Sequence, residues 1–116
     1  MKKLNFLLKN DDLEIINEEC EYYSDENSLS FVYENLKLTI KKEGHLVTFV
    51  RESDTDSLEI CDDNGDLKCT VKIKNPEIEL NLKVDKFLYK FDQNKVIINY
   101  IIESDEGCEK TIVLSL

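Results

Sequence analysis

Apolar residues recur at every second position through most of this chain. In "EIELNLKV", residues 77–84, Ile78, Leu80, Leu82 and Val84 fall on one face and Glu77, Glu79, Asn81 and Lys83 on the other. That is the period of a half-buried β-strand. The same reading places strands at about 3–9, 13–23, 28–34, 36–42, 45–51, 57–62, 67–74, 77–84, 86–91, 95–103 and 109–116, the second of them bulged or divided. No window holds a 3.6-residue period well, although residues 12–22 accommodate a short helix.

The breaks between these runs carry turn chemistry. Asn64-Gly65 lies between two apolar runs, and both residues accept the positive φ of a type I′ hairpin turn. Centring the turn there opposes Asp63 to Asp66, Ile60 to Cys69 and Leu58 to Val71. Leu58, Ile60, Leu67, Cys69, Val71 and Ile73 then share the inward face. The other two glycines serve the same purpose, Glu43-Gly44 joining "LKLTIKK" to "HLVTFVR" and Glu106-Gly107 joining "KVIINYIIE" to "EKTIVLSL". Neither GxGxxG nor GxxxxGK[ST] occurs, so no glycine is arranged to cradle a phosphate. The one proline, Pro76, stands at the start of a strand, where it removes no interior ladder bond. Many strands on short turns make an antiparallel meander, and closing it into a β-barrel removes the exposed edges. The expectation is all-β, a single barrel domain over residues 1–116.

"EICDDNGDLKC", residues 59–69, also invites a calcium or redox reading. Counted from Asp62, a calcium loop of the EF-hand type needs glycine at its sixth position and glutamate at its twelfth; Leu67 and Ile73 stand there. Strand alternation turns Cys69 inward and Cys61 outward, so the two thiols do not meet. The four cysteines contain no CxxC, and His45 is the only histidine. No metal site, cofactor or catalytic residue is expected. His45 beside the Gly44 turn reads as an exposed imidazole.

The segment 4–8 is too short for a secretion signal and is followed by Asp11 and Asp12. No apolar run spans a membrane. The expected compartment is the cytoplasm, with the cysteines reduced.

Charge changes the picture more than any motif. The net charge is −10. Between Lys9 and Lys37 there is no lysine or arginine, while Asp11, Asp12, Glu14, Glu18, Glu19, Glu21, Asp25, Glu26 and Glu34 supply nine acids. Such a face disfavours direct binding to nucleic acid or an anionic membrane, both of which need cationic contacts. It permits a basic protein partner, with Glu18, Glu19, Glu21, Asp25 and Glu26 as the candidate contacts.

The blocks "CEYYSDENSLSFVYE", "IKKEGHLVTFVR", "EIELNLKV" and "KVIINYIIESDEGCEKTIVL", in that order and spacing, resemble the YwiB-like family of small bacterial calycin-type β-barrels of unknown function. The resemblance covers nearly the whole chain. It implies a lipocalin-like barrel and brings no catalytic residues.

Two functions follow as expectations. One is a non-enzymatic cytoplasmic binding module for a small apolar ligand or a protein, with Tyr22, Tyr23, Phe31, Tyr33, Phe49, Phe87, Tyr89, Phe91 and Tyr100 as possible cavity lining. The alternative is an acidic interaction or inhibitor protein, of the nucleic-acid-mimic type, engaging a basic surface through residues 11–34.

Overall fold

A computed structural model describes residues 2–103 and 107–116. Its strands are β1 (Lys3–Asn10), β2 (Leu13–Ser24), β3 (Ser28–Tyr33), β4 (Leu36–Glu43), β5 (Leu46–Glu52), β6 (Asp56–Asp63), β7 (Asp66–Ile73), β8 (Ile78–Leu82), β9 (Val84–Phe91), β10 (Lys95–Ile102) and β11 (Lys110–Ser115). All pair antiparallel, in the order β8-β7-β6-β5-β4-β3-β2-β1-β11-β10-β9. β8 and β9 end that order on opposite sides, yet Lys83 alone separates them in the chain. Every strand pairs with its neighbour in the chain except β8 with β9, which is the connectivity of an antiparallel meander nearly closed into a barrel, and the all-β fold expected from the sequence is the fold formed.

The chain gathers into two compact units, Met1–Glu21 with Val84–Leu116, and Tyr22–Lys83. In the first, the sheet runs from β2 through β1, β11 and β10 to β9. Cross-strand rows build its apolar face: Phe6, Leu114, Val96 and Phe91 stand side by side, as do Leu8, Ile112, Ile98 and Tyr89. β10 shows the sequence cause most plainly, since Val96, Ile98, Tyr100 and Ile102 are buried while the residues between them are not. β-branched and aromatic side chains suit such a pleated, half-buried surface.

In the second unit Leu29, Ile40, Phe49, Ile60, Cys69 and Leu82 form one row across β3 to β8. The β6–β7 hairpin has the expected register, with Asp63 opposite Asp66, Ile60 opposite Cys69 and Leu58 opposite Val71. Asn64 and Gly65 take φ of 53° and 95°, as a type I′ turn requires. The Gly65 N–H donates to Asp62 Oδ1 at 2.7 Å.

Four local expectations change. Residues 12–22 hold no helix: Asp12 is in a turn and the rest lie in β2, whose pairing with β1 shifts register between Leu8 and Lys9, leaving Ile15 as the extra residue of a bulge. Val84 opens β9 and does not close β8. Ile78 and Leu80 are 42% and 43% exposed, because β8 pairs only with β7 and has no strand on its other side to complete their cover. Pro76 sits in the turn before β8, two residues ahead of the strand. The turn placed at Glu106-Gly107 falls partly outside the described residues.

Candidate interaction surface

β2 carries four of the nine acids of the run, Glu14, Glu18, Glu19 and Glu21, and it is exposed almost throughout; Cys20 is its one buried residue. Alternation divides its acids. Glu19 and Glu21 leave one face together, while Glu18 leaves the other, the face of Cys20 and of its cross-strand partner Phe6. The three glutamates therefore line both sides of a strand edge and do not form one flat patch. Lys3 Nζ lies 3.4 Å from Glu19 Oε1, both groups well exposed. Glu14 Oε1 accepts from Asn17 Nδ2 at 3.3 Å. Among the described residues Glu18 and Glu21 form no ion pair.

Asp25 and Glu26 belong to the turn between β2 and β3, in the other compact unit. Asp25 Oδ1 accepts from the N–H groups of Asn27 and Ser28, each at 2.9 Å. The Asn27 N–H first, and then the bonds from Ser28, hold this carboxyl below the ordinary aspartate range. Asp25 is thus a turn-forming residue. Asp11 is another: it takes φ 52°, its N–H donates to Glu109 O at 2.6 Å, and its Oδ1 accepts the Glu109 N–H at 3.0 Å. Glu14, Glu18, Glu19 and Glu21, on β2, accept no backbone hydrogen bond among the described residues.

The acidic neighbourhood reaches the cysteine beneath it. Burial, followed by the charges of Glu18 and Glu19, pushes the Cys20 thiol up. All four cysteines are free. Cys61 faces Lys68 and Cys69 faces Ile60, on opposite sides of the hairpin as alternation requires. Among the described residues no three of His, Cys, Asp and Glu converge as metal ligands. His45 is exposed at its turn.

The candidate cavity-lining aromatics have different fates. Phe31, Phe49, Phe87 and Tyr100 are buried, Tyr22, Tyr33, Tyr89 and Phe91 are half-buried, and Tyr23 is exposed. Phe6, Phe49, Ile60, Ile98 and Leu114 are each 0% exposed, so no space of water size adjoins them. Two depressions among the described residues of the second unit lie on the outward side of its sheet. One, of ≈ 390 Å³, is lined by Ser28, Ser30, Lys37, Thr39, Lys41, Val50 and Glu52. It is open and mainly polar, unlike an apolar ligand pocket.

One residue that charge and turn reasoning passed over is Arg51, the single arginine. It shares an inward row with Phe31, Leu38, Leu58 and Val71. The signal was present in the sequence, since Val47, Phe49 and Arg51 alternate on one face of β5.

Neither a protein-family model nor a curated protein matches the sequence. Among solved structures, the chain is similar to the crystal structure of the ywiB protein from Bacillus subtilis, with a TM-score of 0.53 and 16% sequence identity, covering 97% of this chain and 87% of that one. The likeness is one of fold: this chain builds a ywiB-like β-barrel.

Proposed function

We propose that the protein is a non-enzymatic binding module, acting in the cytoplasm, that engages a basic protein partner through β2. The supporting observation is the state of that strand. It is exposed along nearly its whole length and bears glutamates on both faces, and Glu18 and Glu21 form no ion pair among the described residues. Carboxylates so placed attract a cationic surface at long range and cost little to bring into contact. The apolar-ligand reading has less support, because the largest inward side chains are packed to zero or near-zero exposure. Four free thiols, two of them buried, fit a reducing compartment.

The test is affinity capture from host lysate with the wild-type protein and with the Glu18→Gln, Glu19→Gln, Glu21→Gln triple variant. A basic protein retained by the first and lost with the second supports the reading. Identical bound proteins would remove this surface as the contact.

A further inference from the structure

β2 is paired on one side only for most of its length. It meets β1 over residues 13–21 but β3 only at Tyr22, Tyr23 and Ser24. Among the described residues, no backbone hydrogen bond outside the ladders engages residues 13–21. Beyond the bulge at Ile15, pairing with β1 is regular from Ile16 to Glu21. Every second residue of that stretch directs its N–H and C=O to the open side.

Proteins blunt such edges with lysine, proline or inward charge, because an open edge templates another strand. β2 has no lysine, arginine or proline. Its protection is negative charge alone, which excludes a second copy of the same strand by setting glutamate against glutamate. The same charge selects an occupant of opposite sign. β8 and β9 also end the strand order, but β9 carries Asp85 with Lys86 and Lys90, and β8 carries Glu79 and is flanked by Glu77 and Lys83, so each mixes both signs. Neither of those edges selects a sign.

We infer that the open edge of β2, residues 16–21, binds a lysine- or arginine-rich extended segment of a partner protein by antiparallel strand addition. The inference rests on the acidic-surface reading above and specifies how the partner is held. Main-chain hydrogen bonds supply the docking, and side chains on the two faces supply the selection. The register defines the segment. Read from the end opposite Glu21, it presents a cation to Glu21, an apolar residue to Cys20, cations to Glu19 and Glu18, a polar residue to Asn17 and an apolar residue to Ile16. Lys-Val-Lys-Lys-Thr-Val meets that description. Lys3, already beside Glu19 at 3.4 Å, makes Glu19 the weakest of the three selectors.

The probe is a short acetylated peptide with that core, titrated at low salt into isotope-labelled protein and followed by amide NMR. Its control is the same peptide N-methylated along the pairing edge, which keeps every charge and cannot form the ladder. The expected result is slowed exchange of alternate amides within residues 16–21, with affinity reduced at least about tenfold both by N-methylation and by the triple glutamine variant. Equal binding of the methylated peptide, or binding without amide protection, overturns strand addition and leaves the acidic-surface reading standing. Equal binding of the triple variant overturns both. Absence of any binding overturns the strand-addition inference. Unchanged resonances elsewhere in the triple variant establish that it is folded.

Discussion

Phe6 and Glu18 stand directly opposite one another across the β1–β2 ladder, so their side chains leave the same face of the sheet, yet Phe6 is fully buried and Glu18 is exposed. Glu18 lies on the open strand, where it is exposed to water. The consequence is a steep energetic difference between neighbours. Phe6→Ala is expected to cost about 3–5 kcal/mol, the cost of losing a buried aromatic and leaving a cavity. Glu18→Gln is expected to fall within about 0.5 kcal/mol of wild type. Urea unfolding of both variants checks this; a comparable loss for Glu18→Gln would make the acid part of the core and remove it from the interaction surface.

The Asn64-Gly65 turn can be tested in the same way. Gly65 has φ 95° and open space where a Cβ would stand, so Gly65→Val strains the backbone without a clash. A loss of more than about 1 kcal/mol is expected, since a β-branched residue is poorly accommodated at positive φ. Asp62→Ala should cost about 1 kcal/mol by removing the acceptor of the Gly65 N–H. An unchanged urea midpoint for Gly65→Val would mean that the turn is not what fixes the β6–β7 register.

These contrasts show what was legible in the sequence. Alternation located all eleven strands to within about two residues, and Asn64-Gly65 fixed a full hairpin register, because both signals are local. Burial at the edges was not legible. Ile78 and Leu80 alternate as cleanly as Val96 and Ile98, but only β10 has a paired strand on each side. Glycine marked Gly44 and Gly65, but Asp11 and Glu34 also reach positive φ, 52° and 54°, and Asp11 is held there by Glu109, 98 residues away. For the candidate surface, the charge run was visible and its division between two faces followed from parity. Its open edge did not follow, because it depends on where β3 stops pairing with β2.

The cysteines yield a reactivity order. Desolvation raises the Cys61 thiol, with Thr48 Oγ1 at 3.8 Å opposing the shift and Glu59 adding to it. Cys20 is raised by burial and by two glutamates, and Cys69 is buried. A raised pKa lowers the thiolate fraction that reacts. Alkylation of the native protein near neutral pH should therefore be slower at buried Cys20 and Cys69 than at half-buried Cys61 and Cys108, while denatured, unreduced protein should label at all four. Rapid native labelling of Cys20 would contradict its burial within β2.

An acid-sensitive contact joins β9 to the start of β11. Lys86 Nζ lies 2.7 Å from Glu109 Oε2, and Lys86, followed by Asn99, holds the Glu109 carboxyl below its ordinary range. A carboxyl with a depressed folded pKa contributes stability above its unfolded value, about 4.3 for glutamate, and that contribution is lost as pH falls through the folded value. Lys86→Met should destabilise the protein at neutral pH. The difference from wild type should shrink as pH falls below the ordinary glutamate range. A carboxyl NMR titration should show the Glu109 midpoint rising in the variant; an unmoved midpoint would mean that the ion pair is not the cause of the shift.

Salt should act on the β2 region in the opposite sense from an ordinary ion-paired surface. Glu14, Glu18, Glu19 and Glu21 lie on one strand in a chain of net charge −10, and only Glu19 among them has a cation within ion-pair distance in the described structure. Their mutual repulsion opposes folding, whereas screening weakens the exposed Lys3–Glu19 pair by an amount that is small from the outset. Repulsion therefore dominates the response. The Debye length falls from about 30 Å at 0.01 M salt to about 10 Å at 0.1 M, so the melting temperature should climb with sodium chloride over that range. Replacing Glu18 and Glu21 with glutamine should raise the low-salt melting temperature and flatten the climb, because the charges responsible are gone. A melting temperature that falls with salt in the wild type would mean that attractive pairs outweigh the repulsion, and a climb equally steep in the variant would place its source away from β2.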